Sequence, residues 1–119
     1  MWHTRTTDRT AALELDLAVL REKIGGMTCR MPLAAQLGTG EGAPVALEVS
    51  MSRDRVYWSV AEGTLSPARE DGDGQLVFGR SLSGRYARIR VLSSTRGSAA
   101  VVPELGFRLA DGKAVRLHL

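Results

Sequence analysis

The 119-residue sequence contains one cysteine, Cys29. A single thiol excludes a disulfide within the chain and any metal site built from several cysteines. Aromatic residues make up only 5% of the chain, so the stacking surfaces that bind single-stranded nucleic acid are not expected. Nowhere do about 18 uncharged apolar residues follow one another, and the first residues have no apolar run typical of a signal peptide. The sequence therefore predicts no membrane partner and no export signal, and it leaves the redox compartment open.

The charge balance is mildly basic, with 16 basic and 13 acidic residues and a net charge of +3. Such a chain can bind nucleic acid or an acidic polysaccharide. The acids are interspersed with the bases, however, so we interpret most arginines as solvated strand faces and expect no nucleic-acid partner. Arg88 and Arg90 face away from the apolar residues of their strand and are the candidate anion contacts. A polyanion binder that uses these two with Arg85 and Arg96 stays open as an alternative.

Apolar residues recur at every second position along most of the chain, which is the period of a strand with one buried face. Glycine-rich and Asp-Gly steps typical of turns separate the runs. The pattern predicts an all-β fold, an antiparallel β-sandwich of about eight strands, with Trp58 filling part of the core. The apolar residues of the runs are Leu13, Leu15 and Leu17; Met27, Cys29 and Met31; Leu47, Val49 and Met51; Val56, Trp58 and Val60; Leu76 and Phe78; Ala87, Ile89 and Val91; Leu105, Phe107 and Leu109; and Val115, Leu117 and Leu119.

One segment also fits a helix, because leucines at positions 13, 17 and 20 fall on one helical face and Gly25-Gly26 would end it. The polar segment 66–75 is expected to be one exposed connection. No linker or internal repeat divides the chain, so we expect one domain over residues 1–119.

Residue types that carry catalysis are present but are not arranged for it. His3 and His118 lie at opposite ends of the sequence, and neither belongs to a nucleophile motif or to a metal-type histidine spacing. Glu14 and Asp16 share one strand face and are interpreted as surface charges. The acidic segment 70–73 matches no calcium-loop spacing. We therefore expect no enzymatic activity, no metal and no cofactor.

Several short motifs follow one another in a characteristic order. They are Trp2-His3-Thr4, Leu15-Asp16-Leu17-Ala18, Glu48-Val49-Ser50 with Trp58, Ala61-Glu62-Gly63-Thr64, Tyr86-Ala87-Arg88-Ile89-Arg90 and Pro103-Glu104-Leu105. In this order the sequence resembles the discoidin, or coagulation factor 5/8 type C, domain, and within it the family 32 carbohydrate-binding modules. The resemblance spans nearly the whole chain. It implies a jelly-roll-type, galactose-binding-domain-like β-sandwich and a non-catalytic module that binds carbohydrate as an accessory to a glycan-acting protein.

In that family, galactose-type sugars bind in loops at one end of the sandwich, through a histidine, an arginine, an asparagine and aromatic residues. The resemblance implies His3 as a ligand-binding residue, because it stands where the family's histidine stands. Arg5 and Arg30 are the accompanying candidates, and Arg30 lies two residues before the proline of the family's Pro-Arg loop. Sugar hydroxyls favour such charge-assisted hydrogen bonds.

Other positions differ from the family's site. Thr6 takes the place of an aromatic residue, Met31-Pro32-Leu33 stands for the Pro-Arg loop, Gly40-Glu41-Gly42 occupies the region of the asparagine, and the place of the late aromatic falls near Ala99. These departures keep a second interpretation open, in which the chain is a structural or protein-interaction domain with a degenerate sugar site.

The beginning of the chain also differs from the family pattern. Family domains usually carry about 20 to 30 further residues there, including a strand and an Asp-Gly-x-x-Thr loop. In many relatives that loop forms a structural calcium site together with the late glutamate, which Glu104 matches here. Because this sequence lacks the loop, we expect no calcium. We expect either a domain truncated at its N-terminus or one whose exposed sheet edge is covered by a protein partner or a second copy. Relatives are mostly extracellular or at the cell surface.

Overall fold

The computed structural model describes residues 1–18 and 23–117. Within these ranges the chain forms eleven β-strands and one short 3-10 helix, Ala34–Gln36. The all-β prediction is confirmed, with more strands than the eight expected. The strands are β1 (Trp2–Arg5), β2 (Leu13–Asp16), β3 (Ile24–Arg30), β4 (Glu41–Gly42), β5 (Pro44–Ser52), β6 (Ser59–Thr64), β7 (Asp73–Leu82), β8 (Tyr86–Ser94), β9 (Ala99–Val102), β10 (Leu105–Leu109) and β11 (Ala114–Leu117).

The strands form three sheets. Two are four-stranded, with the orders β2-β8-β5-β6 and β11-β10-β3-β7, and the third has the order β1-β9-β4. All described pairs are antiparallel except β4 with β9, which is parallel. In the described part of the chain no helix is long and apolar enough to cross a membrane.

The inward faces of the two four-stranded sheets meet in one apolar core. Its central residues alternate along the strands as predicted, since each strand turns every second side chain inward. Ten of them are at most 1% exposed: Met27, Cys29, Leu47, Val49, Met51, Ala87, Ile89, Val91, Leu105 and Phe107. Burial, with a smaller effect of Asp73, raises the pKa of the Cys29 thiol to about 12, so this side chain packs as a small apolar group.

The predicted strand through Val56, Trp58 and Val60 is wrong over residues 56–58, and Val60 alone lies in a strand. Strand β6 begins only at Ser59, and Val56 and Val60 are 68% and 50% exposed. The carboxylate of Asp54 accepts hydrogen bonds from the backbone N–H of Val56 at 2.8 Å, which offers the backbone an alternative to strand pairing. Trp58 is only partly buried, so it does not fill the core as expected.

The segment that also fitted a helix begins as a strand. Over β2, Leu13 pairs with Ile89 and Leu15 pairs with Ala87 of β8. Residues 19–22 of the alternative helix lie outside the described ranges, as do His118 and Leu119. The expected connection 66–75 is shorter than predicted, because β7 already begins at Asp73.

Candidate functional site

A cleft of about 650 Å³ lies on the three-stranded sheet, bordered by β1, the turn before β4 and the start of β9. Its charged lining consists of His3, Arg5, Asp8 and Glu41. The volume lies within the range of sites for small molecules. The cleft therefore joins charged groups from opposite edges of one sheet.

Strand pairing explains how these groups come together. Along β1, Thr4 is buried, so its neighbours His3 and Arg5 turn to the exposed face. The central strand β9 pairs Ala99 with Arg5 on one side and with Glu41 on the other. Arg5 of β1 and Glu41 of β4 therefore lie on the same face of the sheet, on either side of β9.

His3 and Glu41 form the central contact of the cleft, with Nδ1 of His3 2.7 Å from Oε2 of Glu41. The backbone N–H of Gly38 donates to Oε1 of the same carboxylate at 2.7 Å. The hydrogen bond from His3, followed by that from Gly38, holds the pKa of Glu41 below its ordinary value. An ionised carboxylate only accepts hydrogen bonds, so Nδ1 carries the proton and Nε2 is the ring nitrogen left for a ligand.

Arg5 and Asp8 add a cation and a second carboxylate. The Oδ1 atom of Asp8 accepts hydrogen bonds from the hydroxyl and the backbone N–H of Thr10 at 2.7 and 2.9 Å, and the hydroxyl contact is the main cause of a lowered Asp8 pKa. The side chain of Arg5 is exposed, and its guanidinium has no hydrogen bond or ion pair within the described ranges. The lining therefore combines an unpaired guanidinium with carboxylates that are held in place.

Solved structures of other proteins share this architecture. The family 32 module of NanJ from Clostridium perfringens, in complex with galactose, gives a TM-score of 0.60 at 17% identity, over 89% of this chain and 74% of that one. Module CBM32-3 from a family 31 glycoside hydrolase of the same organism gives 0.60 at 18% identity, over 89% and 72%. Module CpGH89CBM32-5 of that organism, in complex with GalNAc-β-1,3-galactose, gives 0.50 at 17% identity, over 83% and 76%.

This chain has the fold of the family 32 carbohydrate-binding modules. The predicted jelly-roll-type sandwich is thereby confirmed. No protein-family model and no curated protein matches the sequence.

Some of the positions that the resemblance compared with the family's sugar site lie together, whereas Met31 and Pro32, in the place of the Pro-Arg loop, line a different hollow. His3, residues 40–41 and Ala99 all line the cleft. Thr6 stands at its border, where its backbone N–H donates to the carbonyl of Ser98 at 2.7 Å. Sequence reasoning did not select Glu41 as a site residue, although the region assigned to the family's asparagine contains it.

Arg30, the third predicted ligand residue, does not line the cleft. Its Nε lies 3.6 Å from a carboxylate oxygen of Asp73 and 3.7 Å from one of Glu104, and its Nη1 lies 3.8 Å from Asp71. Arg116 also contacts Glu104, at 3.2 Å. Arg30 thus neutralises the carboxylates of Asp71, Asp73 and Glu104 at the end of β3, outside the cleft. Among the described residues no group of His, Cys, Asp or Glu side chains is placed to hold a metal ion.

Replacing Arg30 by methionine is expected to lower the free energy of unfolding by about 1–3 kcal/mol, because the carboxylates around it lose their cation in a partly buried setting. The loss should shrink at high salt, which screens repulsion between the acids. Urea unfolding at low and high salt measures it, with Arg30→Lys as the control that keeps the charge. Equal stability of wild type and Arg30→Met at low salt would contradict this arrangement.

Arg88 and Arg90, the predicted anion contacts, lie on the outer face of β8 and away from the cleft. The guanidinium of Arg88 is 3.4 Å from Glu14 and stacks on the ring of Trp58, 4.2 Å from its centroid. Nε of Arg90 is buried and has no hydrogen-bond partner among the described residues. Anion contact by these two arginines stays a prediction.

The lowered pKa of Glu41 predicts a pH-dependent contribution to stability. Its stabilisation is fully present above the unfolded-state pKa, near 4.5, and is lost as the pH falls through the lower folded-state value. Urea midpoints of wild type and Glu41→Gln should therefore differ at about pH 6 and converge toward about pH 3. Glu62→Gln, at an exposed position of β6, is the control and should show no such difference. A gap between wild type and Glu41→Gln that is independent of pH would contradict the pairing.

Proposed function

We propose that this protein is a non-catalytic carbohydrate-binding module whose ligand occupies the cleft on the three-stranded sheet. The His3–Glu41 hydrogen bond of 2.7 Å is the observation that carries the proposal, because it fixes an imidazole at the rim of an open, polar cleft. The shared fold with modules solved in complex with galactose and with GalNAc-β-1,3-galactose supports it. The arrangement offers hydrogen bonds and no strained nucleophile, which suits binding rather than reaction.

Each charged group has a defined part in this proposal. With Nδ1 donating to Glu41, Nε2 of His3 is the ring nitrogen that forms a hydrogen bond with a sugar hydroxyl. Arg5 donates to hydroxyl oxygens, and Asp8 accepts from hydroxyl protons. Trp2 alternates with His3 on β1 and packs partly against the core, so no sugar contact is assigned to its ring. Arg30 is left out of the proposed site because of its carboxylate partners.

Galactose-type sugars are the proposed ligand class, and an accessory role beside a glycan-acting enzyme is the proposed context. The neighbour from a family 31 glycoside hydrolase supports that context.

Calorimetric titration with galactose, N-acetylgalactosamine and GalNAc-β-1,3-galactose tests the proposal. We expect binding by wild type and a loss of about 10- to 100-fold in His3→Ala, since a hydrogen bond to a charged or polarised group contributes about 1.5–3 kcal/mol. Arg5→Ala should lose a similar amount. Arg108→Ala, an exposed arginine of β10 outside the cleft, is the matched control and should bind as wild type does.

Two outcomes would contradict the proposal. One is the absence of binding to these sugars, and the other is binding that His3→Ala and Arg5→Ala leave unchanged. If the chain binds no sugar and its mass in solution rises with concentration, the protein-interaction alternative is favoured instead.

A further inference from the structure

The loop between β5 and β6, residues 53–58, exposes the large aromatic side chain of Tyr57. Tyr57 is 82% exposed, which makes it the most exposed large apolar side chain in the described ranges. Exposed aromatic rings with one apolar and one polar end are frequent at binding surfaces. Tyr57 is therefore a candidate for contact with a ligand.

The backbone under Tyr57 is held by several hydrogen bonds. Oδ1 of Asp54 accepts from the N–H groups of Val56 and Tyr57 at 2.8 and 3.2 Å. The indole N–H of Trp58 donates to the carbonyl of Arg55 at 3.3 Å, and Arg55 itself has a positive φ of 63°. The backbone of the loop therefore loses little further freedom when a ligand binds to it.

Tyr57 borders a hollow of about 320 Å³ with polar walls. The other exposed side chains around it are Arg53, Asp54, Ser59 and Ser83. Within the described residues, no hydrogen bond or ion pair engages the guanidinium of Arg53 or the hydroxyls of the two serines. The hollow thus places unpaired donors and acceptors beside an exposed aromatic face.

The second wall of the hollow comes from the loop between β7 and β8. Gly84 lies so close to the end of β5 that a Cβ atom there would approach the backbone of Ser52 to 2.8 Å. Ser83 is therefore held against the loop that contains Tyr57. The hollow is a joint feature of two packed loops.

We propose that this hollow is a second carbohydrate-binding site, which takes a single neutral sugar ring. The lining has charges of both signs and hydroxyls, which suits a polyhydroxyl ligand better than a polyanion, and Tyr57 supplies the apolar face that sugar rings pack against. Strand β5 runs nine residues from Pro44, near the cleft, to Ser52, at the hollow. A rise of about 3.3 Å per residue places the two sites roughly 26 Å apart.

The distance makes the second site independent of the first. A module with sites at both ends of the sandwich can hold two glycan branches or two chains at once, and the paired contacts strengthen attachment to a dense glycan surface. The proposal does not depend on the function of the His3 cleft.

Amide chemical shifts in a two-dimensional NMR titration distinguish the sites. Galactose, glucose, N-acetylglucosamine and cellobiose serve as probes, each raised well above millimolar concentration. We expect at least one probe to shift the amides of residues 53–59 and Ser83, and Tyr57→Ala to weaken that response at least tenfold. Shifts at His3 and Glu41, if that probe also fills the cleft, should persist in Tyr57→Ala and be lost in His3→Ala.

Val77→Ala is the matched control, since Val77 is 73% exposed on β7 and outside the hollow. It should leave both responses unchanged. The proposal is overturned if no probe shifts residues 53–59, or if the response there survives in Tyr57→Ala. It is also overturned if that segment responds to protein concentration alone, because the surface then joins copies of the chain.

Discussion

Replacing Phe107 by alanine is expected to lower the free energy of unfolding by about 3–5 kcal/mol. Phe107 is 0% exposed, and its strand β10 pairs with β3 on one side and β11 on the other. The surrounding strands cannot close the space left by the ring, so a cavity remains and its lining loses dispersion contacts. Urea unfolding of the variant measures the loss.

Arg108→Ala is the control for this prediction. Arg108 is the next residue of the same strand and is exposed, so its truncation should change stability by less than about 0.5 kcal/mol. A loss below about 1 kcal/mol in Phe107→Ala would show that the ring does not occupy the close-packed position described.

Replacing Gly42 by alanine is expected to reduce sugar affinity at least tenfold and stability by about 1–3 kcal/mol. A Cβ atom at this buried position would lie 2.6 Å from the backbone nitrogen of Arg96 and 2.7 Å from the hydroxyl oxygens of Ser94 and Thr95. Strand β4 must then move away from residues 94–96. Because Glu41 precedes Gly42 on that strand, its carboxylate loses its alignment with His3.

Calorimetric titration with galactose, N-acetylgalactosamine and GalNAc-β-1,3-galactose, the ligands proposed for the cleft, together with urea unfolding, checks both effects. Gly79→Ala is the matched control, since Gly79 lies on a strand and an added Cβ there meets no atom within 4 Å. A folded Gly42→Ala variant that binds with wild-type affinity would contradict the part assigned to β4 in the cleft.

Four of the predicted apolar runs correspond closely to the buried faces of β3, β5, β8 and β10. Alternation is a local property, and a strand that packs one face against a core must repeat it. Strand β9 was not predicted, because its residues do not alternate in this way. Ala100, Val101 and Val102 are all fully buried, so no polar residue alternates with them, and the two-residue β4 is too short to show a period.

The loop 53–58 illustrates the opposite error. Val56, Trp58 and Val60 alternate as a strand would, but Asp54 accepts backbone hydrogen bonds from the residues that follow it. A single side chain competes there with strand pairing, and the period alone does not reveal which prevails.

His3 and Arg5 were selected as site residues from motif and position, whereas their surroundings depend on strands that are far apart in sequence. Glu41 lies 38 residues from His3 and contacts it only because both strands pair with β9. Arg30 meets Asp71, Asp73 and Glu104 through the packing of distant segments, which removes it from the proposed sugar site.

The amino-acid sequence by itself determined the all-β class, most of the buried strand faces and the position of His3 in a family-like motif. These follow from local periodicity and from the order of short motifs. The tertiary structure decided the order of the strands, the His3–Glu41 contact and the carboxylate partners of Arg30. Each of these depends on which distant segments pair, and pairing is selected by the packing of the whole core rather than by any one stretch of chain.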